Sequence, residues 1–118
     1  MNPFVTPDAI FISCVPQDMR AGIHRLSAIV ASEFGQDPTD GALYIFVSRD
    51  CSKVKMLRFD VNGWVMYYCT LSTGAFRWVH SDEEVLLVIE RRQLYWLLEG
   101  LEIEQSKAAK PVTATAIL

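Results

Sequence analysis

The sequence predicts an α+β domain, an antiparallel sheet of four to six strands carrying two main helices, over about residues 18–34 and 91–99. Three observations predict it. Asn62-Gly63 lies between two strand-like runs within residues 53–71, and both turn residues tolerate the positive φ of a tight hairpin. Apolar residues recur at helical spacing at Met19, Ile23, Leu26, Val30 and Phe34, and again at Leu94, Leu97, Leu98 and Leu101. Residues 43–47 (LYIFV) are apolar throughout, which marks a central strand covered on both faces.

In chain order, residues 1–7 are an extended lead-in with Pro3 and Pro7, and 9–13 (AIFIS) form a short strand ended by Pro16. Asp18 is placed as the N-cap of the first helix, and Gly35 as the glycine that ends it. Residues 36–41 (QDPTDG) are turn chemistry. The central strand, a turn over 48–52 and the hairpin then make a meander over about 43–71. With Asn62-Gly63 as the turn, Val61 pairs with Trp64, Phe59 with Met66, Leu57 with Tyr68 and Lys55 with Thr70. Residues 75–79 (AFRWV) add a short strand, 80–84 (HSDEE) an acidic loop, and 85–89 a strand chosen over helix for its valine and isoleucine. In the second helix Gly100 and Leu101 read as a glycine cap with its hydrophobic contact, while Trp96 lies about 150° from the buried stripe, near Arg92. One domain is expected over 1–105, with 106–118 a loosely held tail.

Bulk properties narrow the function. The chain of 118 residues is long enough to bury a core without staples, and it is 51% hydrophobic with a net charge of -3. Residues 1–40 hold two basic and five acidic side chains, 41–80 five and two, and 81–105 two and seven, so the sheet segment is locally positive. The acidic total argues against a dedicated nucleic-acid binder. Cys14, Cys51 and Cys69 are odd in number and far apart, as expected of reduced thiols in a cytoplasmic protein rather than a disulfide frame or zinc site. No apolar run approaches the ~20 residues of a membrane helix, so no membrane role is expected.

Candidate sites divide along the same lines. Arg49, Lys53, Lys55, Arg58 and Arg77 interleave with Tyr44, Tyr67 and Trp78, the pattern of phosphate tracking with base stacking, although hairpin edges also carry such charges to block edge pairing. Trp96 with Arg92 is the candidate protein interface, weighed against a tryptophan packed under the tail. No catalytic residue, metal site or cofactor is assigned. Asp18, Asp37, Asp40, Asp50 and Asp60 sit at caps and turns where aspartate already has a structural role, and the cysteines have no signature linking them to His24 or His80.

The order of motifs resembles one family. Asp18-Met19-Arg20 with Gly22 matches its D-M-R-x-G, and Asp37-Pro38 followed by Gly41, Leu43, Tyr44 and Phe46 matches its D-P and G-x-L-[FY]-x-F. Lys55 and Leu57, the Asp60 to Gly63 turn, Tyr68 and Leu71, the Gly74, Phe76, Trp78 trio, and the closing Leu94 to Gly100 follow in register. On these residues the chain resembles the TnpB-type accessory protein encoded by the second open reading frame of insertion sequences of family sixty-six. The similarity runs from about residue 8 to 103.

The resemblance implies a non-enzymatic accessory protein for DNA transposition, with the transposase of the same element as partner and DNA at the element ends as a second, weak one. The alternative is a protein-interaction module without DNA contact. Asp18 and Arg20 are the polar members of the family motif, with no role assigned, and the resemblance supplies no catalytic residue. Family members are usually basic, with arginines around the turn that here holds Ser48, Asp50, Cys51 and Ser52, another at the place of Ala75, and a lysine-arginine pair where this chain has Cys69 and Thr70. About five positive charges are missing, which implies weaker DNA affinity because each phosphate contact adds about one unit of salt slope.

Overall fold

The structure, a computed structural model, describes residues 9–72, 74–77 and 84–101. Its elements are β1 (Ile10–Ser13), α1 (Ile23–Ser32), β2 (Leu43–Val47), β3 (Lys53–Asp60), β4 (Gly63–Thr70), β5 (Leu86–Ile89) and α2 (Arg91–Leu98). The expected α+β class holds, with five strands ordered β4-β3-β2-β1-β5. The sheet is mixed rather than wholly antiparallel. β1 runs parallel to β2, with Ile10 opposite Leu43, while every other pair is antiparallel. The long link carrying α1 makes the parallel pair possible, since parallel neighbours need a crossover connection.

The sheet separates two apolar layers. Side chains alternate along a strand, so Tyr44 and Phe46 of β2 and Leu57 of β3 meet Leu26, Ile29 and Val30 of α1. Leu43, Ile45 and Val47 of β2 with Val54 and Met56 of β3 belong to the opposite layer, with Leu94 and Leu97 of α2. This explains why residues 43–47 are apolar at every position: all five are buried, covered on both sides.

The first helix begins later than its periodicity predicts. Asp18 is not its N-cap. The Asp18 carboxylate accepts from the Arg20 amide at 2.9 Å, closing a turn on itself, and Gly22 in extended conformation then starts α1 without a side-chain cap. Met19 and Phe34, the outer members of the apolar stripe, flank the helix yet pack in its cluster. Gly35 ends the helix at φ +66, and Gly100 after α2 at φ +80 with the Leu101 amide donating to Trp96 O at 2.8 Å, as expected. α2 opens on a capping box between Glu90 and Gln93.

The hairpin forms at the expected place in a different register. Its turn residues are Val61 and Asn62, with Asp60 opposite Gly63, so the pairs are Phe59 with Trp64, Leu57 with Met66, Lys55 with Tyr68 and Lys53 with Thr70. Each β3 residue is thus displaced two positions along β4 from the pairing the Asn-Gly signal predicts, and the two faces keep their composition. The register sets the Phe59 and Trp64 rings edge to face, centroids 4.9 Å apart, and stacks Lys55 against Tyr68. Cross-strand contacts of this kind each contribute roughly 0.2–1 kcal/mol. They hold Val61 at φ +54, a conformation β-branched residues avoid.

The expected strand at 75–79 is absent over residues 75–77, where Phe76 instead buries its ring and its amide donates to Cys51 O. Trp78 and Val79 lie outside the described residues, as do 80–83 of the acidic loop and the tail 106–118.

Candidate functional site

The D-M-R stretch and the β2–β3 turn face each other across a cleft of about 530 Å³ on the α1 side of the sheet. Two hydrogen bonds hold the D-M-R loop there. The Gln17 amide donates to Val47 O at 3.0 Å, and Lys55 Nζ donates to Ala21 O at 2.8 Å. Within the loop, Arg20 Nε donates to both Asp18 oxygens at 3.1 Å and Nη2 to Oδ2 at 2.7 Å. The guanidinium's hydrogen bonds hold the Asp18 carboxyl down at about 2 and raise Arg20 above its ordinary value. The pair is a surface feature, the Arg20 side chain being 91% exposed.

The facing turn is built on Asp50. Its Oδ1 accepts from Ser48 Oγ at 2.7 Å and from the Ser52 amide and hydroxyl at 3.0 and 2.8 Å, and these donors hold the carboxyl at about 2. Cys51 takes φ +61 within the turn, its thiol pushed up by burial and by the Asp50 charge. So constrained, the turn projects Arg49 into solvent, where no carboxylate pairs with it among the described residues.

Tyr68 forms the floor. It is 53% exposed, and Lys55 Nζ lies 4.9 Å from its ring centroid. Lys55 is itself buried, so one buried ammonium braces both the D-M-R loop and the ring. The cleft thus carries Arg20, Arg49 and Lys53 against Asp18 and Asp50, with an aromatic surface beneath.

The structure divides the five basic residues singled out in the sequence. Arg49 and Lys53 line the cleft together with Asp18 and Arg20. Lys55 lies behind it, 7% exposed, and Arg58, 6% exposed, has the alternation of the opposite face. Arg77 is exposed and stands outside the cleft lining. One continuous basic face therefore does not form, because Arg58 points to the opposite side of β3 from Lys53 and Lys55. Of the aromatics interleaved with them, Tyr44 is fully buried, Tyr67 faces the α2 layer, and Trp78 is outside the described residues. Tyr68 was missed as a site residue. Its signal is its place opposite Lys55, which the displaced register hid.

Trp96 and Arg92 lie on α2, across the sheet from the cleft. Arg92 stacks over the half-buried Trp96 ring at 5.7 Å and donates to Glu90 at 2.9 Å. Among the described residues no three His, Cys, Asp or Glu side chains are grouped to hold a metal, and no helix is long and apolar enough to cross a membrane.

Two relatives come from Sinorhizobium fredii (strain NBRC 101917 / NGR234), and both are uncharacterized. Protein y4hO is 31% identical over 93 residues, 79% of this chain and 80% of its own length. Protein y4jC is 28% identical over 67 residues, 57% of each. No solved structure is significantly similar. A family model described as IS66 Orf2 like protein matches residues 8–108, a stretch holding the D-M-R loop, both sides of the cleft and the whole sheet. The chain therefore belongs to the IS66 Orf2-like family of insertion-sequence accessory proteins.

Proposed function

We propose that this protein is a non-enzymatic accessory factor in transposition of its insertion sequence, working beside a separate transposase in the cytoplasm and contacting DNA weakly through the cationic cleft. The observation that carries the reading is the meeting of the family's D-M-R residues with Arg49 and Lys53 at one cleft. Three cations against two carboxylates support a weak phosphate contact, in keeping with the acidic chain as a whole. A marked element carrying its transposase, with this gene deleted, restored, or restored as the Arg49→Ala, Lys53→Ala double variant, tests it. Transposition should fall on deletion, return with the natural gene, and return only in part with the variant. An unchanged frequency on deletion would overturn the reading.

A second reading has its own support on the far face. Arg92 flattened on Trp96, with Tyr95 and Leu101 exposed nearby in sequence, gives α2 the aromatic and arginine composition of a protein-contact anchor. If the transposase docks there, co-purification should survive high salt and fail with Trp96→Ala.

A further inference from the structure

We propose that the cleft between the D-M-R loop and the β2–β3 turn is a subsite for single-stranded DNA, taking a phosphodiester on Arg49 and Lys53 and the neighbouring base on Tyr68. This rests on the accessory, DNA-contacting reading and specifies the form of DNA that the cleft accepts.

The charges support a phosphate at one end. Asp18 is ion-paired with Arg20, and Asp50, held ionised by three neutral donors of its own turn, is the one carboxylate left against the two cations Arg49 and Lys53, so a net positive charge remains. Among the described residues, Lys53 Nζ has a 3.3 Å contact to the neighbouring Ser52 hydroxyl and an attraction to the Asp50 charge, and no carboxylate pairs with the Arg49 guanidinium. Arg20 spends Nε and Nη2 on Asp18, which leaves its remaining N–H groups for a second, weaker contact.

Tyr68 decides between strand forms. Its ring is braced by Lys55, which cannot follow it into solvent because it is buried and bonded to Ala21, so the ring is held with more than half its surface open. A fixed, open aromatic ring beside cations is the platform on which an unpaired base stacks, whereas bases in a duplex already stack on each other.

Fluorescence anisotropy of the full chain with a labelled single strand, and with the duplex of the same sequence, across a salt series tests the assignment. The single strand should bind about tenfold tighter than the duplex, with a log-log salt slope of about -0.7 for the one phosphate contact. Tyr68→Ala should weaken it roughly tenfold and Tyr68→Phe should retain it, because the face of the ring is what stacks. The Arg49→Ala, Lys53→Ala double variant should remove that slope, while Arg77→Ala, outside the cleft, leaves it unchanged. Circular dichroism melting of each variant confirms that it folds. Equal or tighter duplex binding, a neutral Tyr68→Ala, or no binding of either form at low salt would overturn the subsite. Duplex binding insensitive to Tyr68 would leave the accessory reading standing. Transposition indifferent to the gene would remove that reading whatever the oligonucleotides do.

Discussion

Lys55 Nζ donates to the carbonyl oxygen of Ala21 over 2.8 Å, joining the middle of β3 to the loop before α1 while the same ammonium lies against the Tyr68 ring. A lysine on a sheet strand is ordinarily a solvated side chain. Here it is a buried tie between two segments distant in sequence. Removing it strips a charge-assisted hydrogen bond and leaves a carbonyl to find another partner. Lys55→Ala should destabilise the fold by about 1.5–3 kcal/mol, and Lys55→Met by less, since it keeps the aliphatic stem. Urea midpoints check the size, and faster amide exchange over residues 18–22 checks the place.

Val61 offers the opposite case. It is 90% exposed at φ +54, so it gains little from contacts and carries backbone strain. Val61→Asn, which tolerates that region, should stabilise the protein by about 1 kcal/mol, read as a higher melting temperature.

Acid should loosen the β2–β3 turn. Asp50 titrates at about 2 against an ordinary 3.8 because Ser48 and Ser52 donate to the charged form, and Asp18 is lowered likewise by Arg20. A depressed folded value means the contribution is complete above about pH 4 and is lost as pH falls towards 2. Urea midpoints taken across that window should decline, and Asp50→Asn should flatten its share of the decline.

The two apolar layers should behave as independent units. Leu26, under α1, and Leu97, under α2, are both fully buried, and they belong to separate clusters on opposite faces of the sheet. Each change to Ala should cost about 2–5 kcal/mol, and the double variant should equal their sum within about 0.5 kcal/mol. Denaturant melts of the two singles and the double measure this, and a clear shortfall would mean that the layers communicate.

Much of this architecture was legible because local and global signals agree. The stripes at Leu26 and Val30 and at Leu94 and Leu97 are buried where their spacing placed them, and residues 43–47 are the doubly covered strand. The parallel pairing of β1 with β2 was not legible, since strand direction across a long connection leaves no local trace in AIFIS or LYIFV. The hairpin register was misled by a true signal. Asn62-Gly63 marks the place of the turn, yet its two residues are Val61 and Asn62, and the Phe59 with Trp64 and Lys55 with Tyr68 contacts lie on the shifted pairing. The cleft was half legible for the same reason. Asp18, Arg20, Arg49 and Lys53 stand out as polar residues, but their meeting depends on how Gln17 docks at the end of β2, and Tyr68 enters only through the register.

The place of β1 inside the sheet governs the order in which the chain can fold. Ile10 pairs on one side with Leu43 and on the other with Ile89, so the first strand made is the last to acquire both neighbours. During synthesis β1 to β4 can assemble while one side of β1 stays open until β5 has left the ribosome. An apolar edge exposed for that interval recruits other nascent chains, and long-range pairing of this kind slows folding. Yield in the cell should therefore depend on how quickly residues 71–89 are translated, and slow codons in that stretch should divert the protein into aggregates even though the finished fold is unchanged.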